Sequence, residues 1–301
     1  MGLAQDILDN ITGYSKAMYS TWFYYKPARI LFDAGEGVAS ALENFIFGIE
    51  TILISHGHHD HIGGLTGIVR ARSSARGDKQ KPLTIYYPKG DTLVELLREY
   101  IGKVSGRLEY KLTWSAVKPG DEIELRDGPR RSFVRAFEVP HSRRSACIGY
   151  KLMERRHRLR PEYEGCTQEE IARRVREVGR EAITEEYNHS LLIYGGDSMP
   201  LPLEEVRNCE VLMHDSTFLT ADDRGNETHA SMEEAMQLAA EADVNILLLI
   251  HVSSRYTKSQ TVKTARELAE KYGMADRTAL ILYRNIFPLP ERERNSVGAS
   301  K

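Results

Sequence analysis

The chain has 301 residues, with 41 lysines and arginines against 43 aspartates and glutamates, a formal charge of −2. No global basic field recruits nucleic acid or a membrane, so a polyanion partner must be held locally. Hydrophobic residues at 41% and charged residues at 28% exclude a disordered or fibrous chain and permit a sizeable core.

The N-terminal stretch carries acids and lacks the basic start and continuous apolar core of a secretory signal. No repeat or linker divides the chain, which reads as one domain over 1–301 with a charged insertion at about 154–187. Ser20 to Tyr25 and Arg29 to Phe32 read as a hairpin running into the turn Asp33-Ala34-Gly35-Glu36-Gly37, and Val38 to Phe47 as a helix. Thr51 to Ser55 is a short apolar strand ending in a His-rich loop, followed by helical character over Ile62 to Arg72. Leu83 to Tyr87 is a strand stopped by Pro88, and Asp91 caps a helix reaching Ile101. Phe133 to Val139 and Ala146 to Met153 are strands bracketing the loop Pro140-His141-Ser142. Between Arg155 and Arg180 arginines interleave with glutamates, which reads as a solvated helical insertion, with a local phosphate-contacting patch as the alternative. Leu191 to Tyr194 runs into Gly195-Gly196-Asp197, and Val211 to Met213 precedes His214. Ser231 with Glu234 has the capping-box spacing for a helix to Ala242. The apolar run Ile246 to Ile250 delivers His251 to a strand end and is far short of the roughly 20 residues of a membrane span. The tail from Glu291 is polar and expected to fray. Cys147, Cys166 and Cys209 show no CxxC spacing and suit a reducing, cytoplasmic compartment.

The most informative stretch is His56-Gly57-His58-His59-Asp60-His61. Imidazole and carboxylate are good donors for a borderline divalent ion, and a strand-end turn can direct alternate members toward two neighbouring metals. A polar surface loop would crowd four histidines that repel one another when protonated.

HGHHDH at 56–61 resembles the signature of the metallo-β-lactamase superfamily. That resemblance implies an α/β fold, an αββα sandwich of two mixed β-sheets flanked by helices, with further ligands at downstream strand ends. His141 in EVPHS, Asp197 in YGGDS and His251 in LIHVSSRY each follow an apolar run. By the resemblance His56, His58 and His141 hold one divalent ion, Asp60, His61 and His251 the other, and Asp197 bridges. Five imidazoles and two carboxylates favour Zn²⁺, with Mn²⁺ or Fe²⁺ open on ligand type. Two such ions lower the pKa of a shared water, giving hydroxide near neutral pH, and leave a local positive charge that suits an anionic substrate.

LFDAGEG at 31–37, PHSRRSACIGY at 140–150, HDSTF at 214–218, HAS at 229–231 and HVSSRY at 251–256 are similar, in order, to blocks of the ribonuclease Z family. Its members remove the 3′ trailer from precursor tRNA. The resemblance implies a phosphodiesterase acting on precursor tRNA or a smaller phosphodiester, with Asp60, Asp215 and His229 catalytic: His229 as general acid, Asp215 orienting it. His214 and Asp33 are expected to support the site from behind. A homodimer is a further implication of the resemblance, and the short apolar runs lead to the expectation of no membrane partner. The Gly/Pro-rich arm of longer-armed members is missing from Lys151 to Gly196, and ITGYSKAMYSTWF departs from the family's N-terminal block. Two alternatives are a hydrolase of esters, thioesters or lactones on the same fold and a catalytically silent binding or scaffold protein that retains the fold.

Overall fold

A computed structural model describes residues 2–74, 81–125, 132–141, 146–225 and 228–289. The tail from Glu291 and the segment 142–145 of PHSRRSACIGY lie outside the described residues.

The first sheet contains β1 (Ile11–Lys16), β2 (Ser20–Tyr25), β3 (Ile30–Phe32), β4 (Thr51–Leu53), β5 (Leu83–Pro88) and β6 (Leu112–Val117), in that spatial order. β1 to β3 are antiparallel and β3 to β6 parallel. The second sheet contains β7 (Glu122–Glu124), β8 (Ser132–Glu138), β9 (Ile148–Leu159), β10 (Thr184–Tyr194), β11 (Val211–Asp215), β12 (Ile246–Ile250), β13 (Thr278–Leu282) and β14 (Asn285–Leu289), its order running from β14 back to β7. β10 to β13 are parallel, with antiparallel strands on both flanks. Strands covered on both faces read as continuous apolar runs, which is why β3 is Ile-Leu-Phe and β12 is Ile-Leu-Leu-Leu-Ile.

Phe23, Phe32, Leu53, Tyr194, Met213 and Ile250 meet between the sheets, and α1 (Leu3–Asp9) adds Ile7 and Leu8 to that core. α2 (Val38–Leu42), α3 (His59–Ile62), α4 (Leu65–Ser74) and α5 (Thr92–Ser105) lie on the first sheet's side, where Val38, Ile62, Ile68 and Val94 pack on Leu31 and Ile85. α6 (Gln168–Val178) and α7 (Arg180–Ile183) follow in the charged insertion. α8 (Leu203–Val206), α9 (Met232–Glu241) and α10 (Lys258–Lys271) cover the second sheet through Val206, Met236, Ala239 and Ala265. The layers are helix, sheet, sheet, helix, as expected. No helix among the described residues is long and apolar enough to cross a membrane.

Several local expectations shift. The helix expected over Val38 to Phe47 is α-helical only to Leu42 and tightens to a 3₁₀ turn over Glu43–Gly48. Asp91 caps α5 as expected, accepting from Leu93 N at 3.0 Å and Val94 N at 3.1 Å, and Ser231 with Glu234 forms the capping box of α9. The insertion is α-helical only over α6 and α7, with a 3₁₀ turn at Pro161–Tyr163. Its flanks continue β9 and β10 as a two-stranded ribbon, paired from Tyr150 with Tyr194 out to Leu159 with Thr184. The first six residues of β9 are buried and the last six are not, so the ribbon leaves the core and carries α6, which has no buried residue. Half of its eight arginines meet glutamates: Arg155 meets Glu124 at 2.9 Å, Arg156 meets Glu154 at 2.7 Å, Arg158 meets Glu185 at 2.7 Å and Arg174 meets Glu177 at 3.2 Å. That pairing favours a solvated face over a phosphate patch.

One ion pair is not superficial. Lys151 of β9 is 3% exposed and pairs with Glu205 of α8, which Arg135 of β8 also reaches at 3.3 Å. Burial lowers the Lys151 pKa, and Glu205 offsets this only in part. Burial also opposes ionisation of Glu205, but Lys151 and Arg135 outweigh it and hold that carboxyl below its ordinary range. A carboxyl depressed on folding contributes stability above its unfolded pKa of about 4.3 and loses it as pH falls through the folded value. Glu205→Gln strands a buried ammonium and is expected to cost about 2 kcal/mol at neutral pH, less than a fully buried pair because Glu205 is partly exposed. Urea titrations should show that deficit narrowing as the pH is lowered toward about 3.

Candidate metal centre

The expected site residues converge where strands of both sheets end. His56 follows β4, His141 follows β8, Asp197 follows β10, Asp215 ends β11 and His251 follows β12. The His-rich loop needs glycine at its second position: a Cβ on Gly57 would lie 2.3 Å from Asp91 Oδ1 and 2.8 Å from Leu93. At Gly196 the backbone is left-handed, with φ +60°, and a Cβ would meet Ser55 at 2.7 Å, so the loop bearing Asp197 closes over the loop bearing His56. His59 to Ile62 is a single helical turn rather than open loop. That turn faces Asp60 and His61 inward and leaves His59 exposed.

Three groups of donors form; one of them joins Asp197 and His251 to Asp215 and His229, and the other two hold the His-rich motif. The donors of His56, His58, His141 and Asp197 lie within 4.8 Å of one another, as do those of Asp60, His61, Asp197 and His251. Asp197 belongs to all three. Its Oδ1 is 3.2 Å from His61 Nε2 and 3.3 Å from His251 Nε2, and its Oδ2 is 3.8 Å from His56 Nε2. Asp60 Oδ2 is 3.6 Å from His61 Nε2 and 3.5 Å from His251 Nε2.

In His61, His141 and His251 the nitrogen that faces away is already engaged, whereas His58 Nδ1 bonds His56 Nε2 at 2.9 Å within the cluster. His61 Nδ1 donates to Asp33 Oδ2 at 2.6 Å, His141 Nδ1 to Thr228 O at 2.6 Å, and His251 Nδ1 bonds Thr217 Oγ1 at 2.9 Å. Such bonds fix ring and tautomer and aim Nε2 at the centre. His61 Nε2, His141 Nε2 and Asp197 Oδ1 are buried without a hydrogen-bond partner. Buried polar atoms are almost always satisfied, so orphans converging on one point fit a divalent cation that takes their lone pairs. The protonation states differ between donors: burial disfavours an imidazolium at His61, but Asp197 and Asp33 outweigh it and raise its pKa well above the ordinary value, so a cation there would displace a proton. Burial and the neighbouring His61 imidazole push the His56 pKa well below its usual value, keeping a lone pair available. Burial disfavours the Asp197 carboxylate, yet His251, His61 and His56 outweigh it and hold it ionised.

His229 and Asp215 adjoin this cluster. His229 Nδ1 is 2.7 Å from Asp215 Oδ2, and its ring stacks on that of His251 at 5.2 Å and 17°. Asp215 is fully buried; its Oδ1 accepts from Thr217 N at 2.8 Å and Thr217 Oγ1 at 2.7 Å, and its Oδ2 from Ser198 N at 3.1 Å. Burial opposes an imidazolium at His229, but the bond to Asp215 and its charge prevail, lifting the pKa to about 9. Asp215 thus favours the proton-bearing form, and cations held beside it would bring that pKa back down toward the range a general acid uses.

Asp33 and His214 stand behind the donors in different ways. Asp33 accepts from Ser55 N and Ser55 Oγ, each at 2.7 Å, from His61 Nδ1 and from the Tyr194 hydroxyl. Asp33→Asn would replace acceptor capacity with an N–H facing these donors. It is expected to weaken metal affinity by roughly 10- to 100-fold, read by competition with a chelating dye. His214 spends both nitrogens on backbone, bonding Asp215 O at 2.7 Å and accepting from Leu201 N at 3.3 Å, and so braces the 197–201 loop. Sequence reasoning missed Ser15, Ser55 and Thr217. Thr217 sits inside HDSTF two residues after Asp215, a spacing at which a hydroxyl returns to the carboxylate. Ser15 accepts from His251 N across 236 positions at 2.8 Å, which no local signal reveals.

The chain matches the β-lactamase superfamily domain over residues 28–179 and 181–252. It is 30% identical over 272 residues to a ribonuclease Z of Saccharolobus solfataricus, covering 82% of this chain and 87% of the relative. It is 31% identical over 251 residues to one of Natronomonas pharaonis, covering 76% and 79%. The short form of human tRNase Z superposes with a TM-score of 0.63 at 17% identity, covering 93% of this chain and 99% of that one, a likeness of fold. The chain thus belongs to the metallo-β-lactamase superfamily and, within it, to the ribonuclease Z family of metal-dependent hydrolases.

Proposed function

We propose that the protein is a dinuclear-metal phosphodiesterase of ribonuclease Z type that cleaves the 3′ trailer from precursor tRNA. The observation that carries this reading is the pair of donor groups sharing Asp197, with the His229–Asp215 pair set against them. His56, His58 and His141 would hold one ion, Asp60, His61 and His251 the other, with Asp197 common to both, and the donor chemistry favours Zn²⁺. Bound there, two divalent ions would lower the pKa of water and neutralise charge on the phosphate oxygens.

The remaining work falls to the protein. A leaving alkoxide needs a proton, and His229, with Nδ1 held by Asp215, has Nε2 to deliver it. Such a contribution is typically worth 10²–10⁴-fold. Asp215, saturated by Thr217 and Ser198, fixes the imidazole without taking its proton. This pair favours phosphodiester over ester, thioester or lactone substrates, since the proton is needed most when a poor leaving group departs from phosphorus.

The test is a side-by-side assay of metal-reconstituted protein on precursor tRNA, bis-p-nitrophenyl phosphate and p-nitrophenyl acetate. Cleavage at the 3′ trailer is expected. Turnover of the small diester alone would move the substrate to smaller phosphodiesters, and turnover of the acetate alone would sink the phosphodiesterase reading.

A further inference from the structure

The mouth of the site carries a feature that the hydrolytic chemistry leaves unused. The β1–β2 turn meets the β13–β14 turn beside the donors, Ser15 N donating to Tyr283 O at 3.1 Å. Two bonds lock this junction to the centre: Met18 N donates to Asp60 Oδ2 at 3.1 Å, and His251 N to Ser15 Oγ at 2.8 Å. Tyr19 and Tyr283 stand there 57% and 51% exposed. The Lys16 ammonium lies over both rings, 4.5 Å and 4.8 Å from their centroids, and reaches the Tyr283 hydroxyl at 3.5 Å. Tyr14 extends the aromatic surface 6.2 Å beyond Tyr283.

Folding does not call for this arrangement. Two tyrosine rings left more than half in water contribute little to the core. The φ values of +68° at Met18 and +60° at Tyr283 belong to the tight hairpin loops that carry them, which fixes where the exposed rings stand. What the junction offers is chemical. Exposed aromatic faces take any nucleobase by stacking, and a fixed ammonium beside them takes the adjoining phosphate. Bases in a duplex are already stacked, so the matching ligand is a single-stranded segment.

We propose that Tyr19, Tyr283 and Lys16 form a nucleotide platform that stacks an unpaired base of the substrate next to the scissile phosphate. The proposal rests on the phosphodiesterase reading above and deepens it by naming a determinant of substrate choice. Holding the flanking nucleotide would place the scissile bond over the donors, because the same turn is bonded to Asp60 and abuts His251.

The experiment uses metal-loaded protein with two readouts. The first is the ratio of kcat/KM on precursor tRNA to that on bis-p-nitrophenyl phosphate. Tyr19→Ala and Tyr283→Ala should each lower this ratio about tenfold, mainly through KM, while Tyr19→Phe and Tyr283→Phe, which keep the rings, restore it. Lys16→Met should reduce the salt dependence of KM by a slope of about 0.7, one phosphate contact on a single strand. The second is stopped-flow fluorescence of 2-aminopurine placed in a short single-stranded RNA, quenched by wild type on stacking and left bright by the alanine variants. If wild type turns over only the small diester, the tRNA reading fails while the quench still decides the platform. An unchanged ratio with unchanged quenching overturns the proposal. So does a change confined to sedimentation behaviour, which would make the patch a protein contact.

Discussion

Asp197→Ala is expected to leave the protein with less bound metal and activity lower by at least about 10³-fold. The carboxylate is the one side chain common to both donor groups, within 3.2–3.8 Å of His61, His251 and His56. In the proposed two-ion site, removing it would take away a donor shared by both groups and a negative charge that offsets the cations. Metal in such a site supplies several kcal/mol of transition-state stabilisation, and each 1.36 kcal/mol is a factor of ten. Elemental analysis after dialysis gives the stoichiometry, and far-ultraviolet circular dichroism should stay native because Asp197 lies beyond the end of β10. Full metal content with full activity would refute the assignment of Asp197.

His229→Ala separates proton delivery from metal binding. The imidazole contacts Asp215 at 2.7 Å and stands 3.9 Å from Asp197, beside rather than within the two donor groups assigned to metal. Metal content should therefore persist while cleavage of precursor tRNA falls by roughly 10²–10⁴-fold. Bis-p-nitrophenyl phosphate should lose much less, because a phenolate departs without a proton. Equal losses on both substrates would make His229 a positioning residue. Histidine is the better probe of the pair, since Asp215 also anchors Thr217 and Ser198 and its replacement would disturb the loop.

Much of this site was legible because its donors are announced locally. HGHHDH packs four of them into six positions, and the family resemblance it carries points to His141, Asp197 and His251, each of which follows an apolar strand. Their supports were less visible. The spacing of HDSTF hints at Thr217, but Ser15 reaches His251 only through pairing of distant segments. The fold followed the same logic: strands covered on both sides declare themselves as apolar runs, whereas the outer halves of β9 and β10 face water and read as a charged helix. Their register is set by cross-strand pairs such as Arg158 with Glu185, which charge composition does not distinguish from helical i,i+4 pairing.

The spread of the donors, from His56 to His251, orders events in time as well as in space. A chain emerging from the ribosome offers the His-rich turn early, but Asp197 arrives only after the charged ribbon has been made, and His251 later still. His251 is then fixed by a bond to Ser15, so its position waits for the first hairpin to dock against the last strands. A partial site would bind metal loosely and release it. Under the proposed ligand assignment, tight capture would be a late step that waits for both sheets, and a chain truncated before β12 would lack His251 even though its most recognisable motif is intact.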